Sequence, residues 1–179
     1  MSDGIPSPWK EFLLELDALL PEQVTFECVG GFVVIVAYGL PRSTNDLDYF
    51  TLEPSNLTRV IHDLAGEGSA LGKKHKVHIH RAAIASLPED YQERMTEMYP
   101  GMFKQIRLLV LDPCDLVLSK ICRNVDRDRE DAKYLIKTQK IDVAVFKERY
   151  DRELKCNLIG PPKLHEETLR FWIEDYFPH

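Results

Sequence analysis

The fold is decided by two stretches, Val24-Thr25-Phe26-Glu27-Cys28-Val29-Gly30-Gly31 and Arg42-Ser43-Thr44-Asn45-Asp46-Leu47-Asp48. In the first stretch apolar residues alternate with polar ones, which predicts a strand over 24–29. The glycine pair at its end lets the backbone come close to a ligand, and its amides would open a helix over 32–38. The second stretch leads into a second predicted strand, which starts at Asp46.

The second strand carries two carboxylates with a spacing that suits a metal ion. Residues two positions apart in a strand point to the same face, so Asp46 and Asp48 should lie side by side. Mg²⁺ prefers a few carboxylates completed by water and phosphate oxygens, so we predict that this pair binds Mg²⁺ or Mn²⁺. The alternative is a turn at Asn45-Asp46 with Asp48 facing solvent. That alternative leaves the repulsion between two neighbouring carboxylates unexplained.

These residues resemble the nucleotidyltransferase superfamily, which has the polymerase-β-like fold. Its motif is Gly-Gly or Gly-Ser at a strand end, followed by Asp-x-Asp on the next strand. A small bacterial branch, which includes abortive-infection-type toxins, adds Arg-x-Thr before the aspartates, and here Arg42 and Thr44 fill those places. A second block is similar to the helical signature of that branch. It consists of Asp112-Pro113-Cys114-Asp115-Leu116, Lys120, Arg123, Arg127-Asp128 and Asp131.

The resemblance implies an enzyme that transfers a nucleoside monophosphate from an NTP to a hydroxyl of RNA, such as tRNA, or of a protein. Gly30 and Gly31 would bind phosphate through their amides, and Lys120 would contact the triphosphate with help from Arg127. Arg42 and Thr44 would also bind phosphate. Structural roles are open for both, since Arg42 can bond a backbone carbonyl and Thr44 can cap the approach to Asp46. For the Lys120 and Arg127 block the alternative is a surface ladder of ion pairs.

One expected element of the superfamily is missing from the third strand, which we predict over 77–80. Active members usually carry a third carboxylate there, but no acid lies between Leu71 and Pro88. A base would then come from Glu89, Asp90 or Asp128, or the chain would bind a nucleotide without turning it over. A metal pair formed by His78 and His80 is not expected, because no third ligand stands at a suitable spacing.

Two rivals to the enzyme therefore stay open. The first is a catalytically inactive homologue that binds a nucleotide or RNA. The second is a toxin–antitoxin component that acts through a protein surface and has an antitoxin as partner.

The predicted fold is α/β in the α+β sense, with a small mixed sheet backed by helices and a C-terminal helical bundle. We expect a sheet domain over 1–111, with an N-terminal helix, and a helical region over 112–179 that packs on it. Asp112, Asp126 and Asp142 are expected to cap helices. Helices are predicted over 9–20, 57–64, 88–98, 112–123, 126–137, 142–155 and 164–176, and a fourth strand over 106–111.

Composition narrows the class of protein. Apolar residues make up 44% of the 179 residues, which is typical of a globular chain. The sequence shows no apolar stretch long enough to span a bilayer and no signal sequence in its first eight residues. Its four cysteines form no Cys-x-x-Cys pair. We therefore predict a cytoplasmic protein with reduced thiols. The net charge of −6 does not indicate nucleic-acid binding. The basic stretch from Lys73 to Arg81 could steer RNA towards the sheet. The alternative is a solvated loop before an edge strand, because runs of charged residues usually form solvated faces.

Overall fold

The computed structural model describes residues 4–82 and 86–178, which divide into two compact units. The sheet unit contains residues 4–82 and Thr96–Val110, and the helical unit contains residues 86–95 and 111–178. The predicted fold class is confirmed, because one unit is built on a small mixed sheet and the other is helical.

The sheet unit contains α1 (Trp9–Leu19), β1 (Val24–Val29), α2 (Gly30–Phe32), a π-helical turn (Val33–Ala37), β2 (Asp46–Glu53), a 3₁₀ turn (Ser55–Leu57), α3 (Thr58–Ala65), α4 (Ala70–His75), β3 (His78–Arg81), β4 (Thr96–Met98) and β5 (Ile106–Val110). The helical unit contains a 3₁₀ turn (Tyr91–Arg94), α5 (Pro113–Leu118), α6 (Asp126–Gln139), α7 (Val143–Arg149) and α8 (Pro162–Tyr176). The chain continues from α7 through a π-helical turn (Tyr150–Leu154) and a 3₁₀ turn (Lys155–Asn157).

The five-stranded sheet has the strand order β3-β2-β1-β5-β4. β1 runs antiparallel to β2 and parallel to β5, and β2 runs parallel to β3. The register between β1 and β2 shifts by one residue at a bulge, since Glu27 pairs with Thr51 but Cys28 pairs with Tyr49. This shift places Asp48 opposite Val29, the residue directly before the glycine pair.

The first helix follows its apolar spacing and closes one side of the core. α1 buries Trp9, Phe12, Leu13 and Leu16, which recur at the three- and four-residue steps of one helical face. Asp17 is buried as well, and its carboxylate accepts hydrogen bonds from the amides of residues 104, 105 and 106 at 3.0, 2.7 and 2.8 Å. One charged side chain thus satisfies three backbone donors at the start of β5.

Two of the three predicted helix caps in the helical unit are confirmed. The Asp112 carboxylate accepts from the amide of residue 114, and that of Asp142 accepts from the amides of residues 144 and 145. The predicted cap at Asp126 is wrong, because α6 begins at that residue and Val125 is the N-cap. The amide of Val125 donates to the carboxylate of Asp128 at 3.3 Å.

The helix predicted over 88–98 is also wrong. A single 3₁₀ turn ends at Arg94, and the chain then forms β4, which pairs antiparallel with β5. Tertiary contacts override the helical spacing here. Met98 is buried opposite Leu108 in the sheet, and the Arg94 side chain is held by buried and half-buried carboxylates of the helical unit.

Candidate functional site

β2 places the two predicted carboxylates on one face, as its alternation requires. Asp46 and Asp48 have side chains that are 51% and 30% exposed, whereas Leu47 and Tyr49 between and after them are buried. The carboxylates therefore face outward from a rigid strand whose other face belongs to the core.

Gly30 lies close to the Asp48 carboxylate of this pair. Its φ is +73°, a left-handed conformation that side chains rarely adopt. A Cβ atom at this position would lie only 2.7 Å from Oδ2 of Asp48. Both the backbone angle and the space next to Asp48 therefore require glycine.

The next glycine faces two other predicted site residues. A Cβ atom on Gly31 would lie 3.5 Å from Nη2 of Arg42 and 3.9 Å from Oγ1 of Thr44. The Thr44 hydroxyl in turn accepts from the amide of Asp46 at 3.4 Å. The structure thus gathers Gly30, Gly31, Arg42, Thr44 and both aspartates at one end of β1 and β2.

Two histidines complete the surroundings of the carboxylates. β3 lies parallel to β2, with His78 in register with Asp46 and His80 in register with Asp48. Nδ1 of His80 lies 3.0 Å from Oδ1 of Asp48, and Nε2 of His78 lies 3.4 Å from Oδ1 of Asp46. Sequence spacing misses these contacts because they depend on the neighbouring order of β2 and β3.

The donor set of this cluster suits a hard divalent cation that brings other ligands with it. Within residues 4–82 and 86–178, no group of three or more His, Cys, Asp or Glu side chains is arranged to hold a metal ion. Two carboxylates on one face are nevertheless what Mg²⁺ takes from a protein when water and substrate phosphates supply the remaining oxygens. The pair of Asp46 and Asp48 fits that requirement, while Cys28 does not add a ligand, since burial and the Asp48 charge raise the pKa of its thiol.

The predicted residues Lys120 and Arg127 belong to the helical unit. Lys120 is only 4% exposed, and its Nζ donates to Asp131 at 2.9 Å and lies 3.6 Å from Asp128. Asp128 also accepts two hydrogen bonds from Arg123, whereas Arg127 is exposed. Burial opposes ionisation of Asp128, but the hydrogen bonds from Arg123 and the charges of Lys120 and Arg123 outweigh it and lower its pKa.

A second buried ion cluster accounts for Asp115, another residue of the helical signature. Its carboxylate is fully buried and accepts from Nε of Arg94 at 2.7 Å and from Nη1 of Arg149 at 2.9 Å. The same two arginines also bind Glu153 and Asp112, both at 2.6 Å. The carboxylates of Asp115, Asp128 and Asp131 therefore form ion pairs that are more buried than a surface ladder, whereas Arg127 of the same block is exposed.

The basic stretch lies on α4 and β3 of the sheet unit. Lys74 pairs with Glu15 of α1 at 2.6 Å, and His75 lies 3.2 Å from the same carboxylate. Lys73 and Lys76 are exposed. Residues 73–75 of the stretch are thus helical where a loop was expected. Residues 78–81 form β3, which is an edge strand among the described strands, as expected.

The mixed sheet, the glycine pair and the outward-facing Asp-x-Asp of the adjacent strand together define a nucleotidyltransferase-type fold. The chain belongs to the family described as nucleotidyltransferase of unknown function (DUF6036), which it matches over residues 11–175. No curated protein and no solved structure matches the chain. None of the helices in the described ranges is both long and apolar enough to cross a membrane.

Proposed function

We propose that the protein transfers a nucleoside monophosphate from an NTP to a hydroxyl group of an RNA or a protein, in a reaction that depends on a divalent metal ion. The acceptor oxygen forms a bond to the α-phosphorus, the bond to pyrophosphate breaks, and the hydroxyl proton passes to solvent water. The observation that carries the proposal is the absence of room for any side chain between Gly30 and the Asp48 carboxylate. Such a close approach is useful where backbone amides and carboxylates must bind the same ligand.

Each residue of the cluster has a role in this proposal. Asp46 and Asp48 hold Mg²⁺ or Mn²⁺, which when bound neutralises charge on the phosphates and activates the acceptor hydroxyl. The amides of Gly30 and Gly31 bind phosphate oxygens. Arg42 lies against Gly31 and offers planar, charged donors suited to a phosphate, with Thr44 beside it.

The helical unit supports a different role for Lys120. Its ammonium already lies between two buried carboxylates, so its removal would leave their charges uncompensated and destabilise the fold. Contact of Lys120 and Arg127 with a triphosphate stays a prediction, as do tRNA as acceptor and an antitoxin as partner.

A labelled-NTP assay tests the proposal directly. The purified protein is incubated with each α-labelled NTP, Mn²⁺ or Mg²⁺, and a mixture of RNA and protein acceptors. We expect incorporation that EDTA abolishes and that Asp46→Asn and Asp48→Asn each eliminate. Asp63→Asn is the matched control, because its carboxylate is exposed on α3 and lies 4.0 Å from Arg59, a long separation for an ion pair. Equal incorporation by all variants, or none by any, would count against the proposed reaction.

A second candidate is a nucleotide-binding protein without turnover. The observation in its favour is that histidines, not carboxylates, line the strand next to Asp46 and Asp48. A thermal-shift assay separates it from the enzyme, since a ligand at about 100 times its dissociation constant adds about 2.7 kcal/mol of stability. Stabilisation by an NTP with Mn²⁺ but no incorporation would favour this candidate.

A further inference from the structure

Two alternating patterns meet side by side at the candidate site. The His-x-His of β3 is in parallel register with the Asp-x-Asp of β2, so each imidazole has its own carboxylate. In both contacts the imidazole approaches Oδ1. An ionised carboxylate can only accept hydrogen bonds, so His80 donates from Nδ1 to Asp48.

This contact restricts a torsion that is otherwise loose. The carboxylate of an aspartate turns easily about its last bond, because that sp³–sp² torsion has broad minima. His80 hydrogen-bonds Oδ1 of Asp48, and Oδ2 faces Gly30, where even a Cβ atom would lie only 2.7 Å away. The Oδ2 atom is thereby held towards the end of β1, where the glycine amides lie.

We propose that His80, and more weakly His78, are positioning residues that orient the two carboxylates for the metal ion. This inference rests on the proposed metal-binding role of Asp46 and Asp48. The imidazole of His80 is 58% exposed and its pair with Asp48 lies at the surface, where ion pairs contribute little to stability. Groups that hydrogen-bond a ligating carboxylate, by contrast, typically change metal affinity about 10–100-fold when they are removed.

The two histidines should differ in importance. The 3.0 Å separation at His80 is an ordinary hydrogen-bond length, whereas 3.4 Å at His78 is longer than a well-formed bond. His80→Leu should therefore weaken metal binding more than His78→Leu does. His80→Asn should restore most of the affinity, because the asparagine amide nitrogen takes nearly the place of Nδ1 and can donate the same bond.

The test is the binding of MnCl₂ to the full chain, alone and with a non-hydrolysable NTP analogue. Binding is measured by the loss of the free Mn²⁺ electron paramagnetic resonance signal relative to the same solution without protein. We expect binding by the unaltered protein, none by Asp48→Asn, and about 10–100-fold weaker binding by His80→Leu. Lys73→Leu, an exposed change on α4, is the control and should bind normally. Circular dichroism melting shows whether each variant is folded.

The outcomes separate this inference from the proposed function. If Asp48→Asn loses Mn²⁺ but His80→Leu binds it normally, the positioning role is overturned and the metal site stands. Strong coupling of Mn²⁺ to a histidine nitrogen in pulsed spectra of the unaltered protein would also overturn it, because the imidazole would then be a direct ligand. If the unaltered protein binds no Mn²⁺, either alone or with a non-hydrolysable NTP analogue, the proposed function fails, and the inference fails with it.

Discussion

Replacing Lys120 by methionine removes an ammonium group from the buried ion cluster of the helical unit while keeping most of the side-chain volume. The ammonium lies 2.9 Å from Asp131 and 3.6 Å from Asp128, and both carboxylates are almost completely shielded from water. After the substitution the buried carboxylates of Asp128 and Asp131 lack the positive charge of the Lys120 ammonium.

The expected loss of stability follows from the burial of the two carboxylates. Removing one partner of a buried ion pair typically costs about 3–5 kcal/mol, because the remaining charge stays desolvated. Arg123 still binds Asp128 through two hydrogen bonds, so we expect the lower end of that range, about 3 kcal/mol. If the whole chain unfolds in a single transition, this corresponds to a melting temperature lower by about 6–12 °C.

The assay must report on the helical unit by itself, since the chain has two compact units. Amide hydrogen exchange followed by mass spectrometry resolves peptides of α5 and α6 from those of β1 and β2. Lys137→Met on the exposed face of α6 is the matched control, for which we expect a change within about 0.5 kcal/mol. Adding Asp131→Leu to Lys120→Met should recover part of the loss, because apolar replacement of both charges is often neutral.

A Lys120→Met protein as stable as the Lys137→Met protein would refute this reasoning. A simultaneous loss of NTP binding in that variant would then support the predicted contact between Lys120 and the triphosphate. A large loss of stability with unchanged NTP binding would assign Lys120 to the fold alone.

Three further changes test the sheet unit and the acid response of the helical unit. Gly30→Ala should displace the Asp48 carboxylate and abolish Mn²⁺ binding, whereas Gly68→Ala, at φ +78° with open space, should show only the backbone strain of about 1–2 kcal/mol in urea unfolding. Asp17→Ala should cost at least about 2 kcal/mol in the same measurement, since three backbone amides lose a charged acceptor. Asp128 has a lowered pKa in the folded state. Its contribution to the free energy of unfolding is therefore complete above the unfolded pKa of about 3.9 and is lost as the pH falls through the folded pKa. The difference in stability between the unaltered protein and Asp128→Asn should accordingly shrink below about pH 4.

The parts of the fold that the sequence predicts well depend on local signals. The alternation of β1 and β2, the apolar stripe of α1 and the caps at Asp112 and Asp142 are each set by residues within a few positions of one another. The failures lie where distant groups decide. The segment before β5 has helical spacing, but pairing with β5 and the ion pairs of Arg94 direct it into a 3₁₀ turn and a strand.

The site shows the same division. Asp46 and Asp48 on one face follow from the strand period alone, and the structure agrees. The contacts of His78 and His80 with them require β3 to lie parallel and next to β2, which no local spacing reveals.

The two glycines of the pair are subject to different structural constraints. Position 30 requires glycine because its backbone is left-handed and because Oδ2 of Asp48 lies only 2.7 Å from the place that a Cβ atom would take. Gly31 has neither restriction, since a Cβ atom there would make ordinary contact at 3.5 Å with the flexible end of Arg42. Gly30 therefore fixes the distance between the backbone and the carboxylate. Gly31 leaves room for the guanidinium group of Arg42. Position 31 should therefore accept a small side chain that position 30 does not, although both belong to the same Gly-Gly motif.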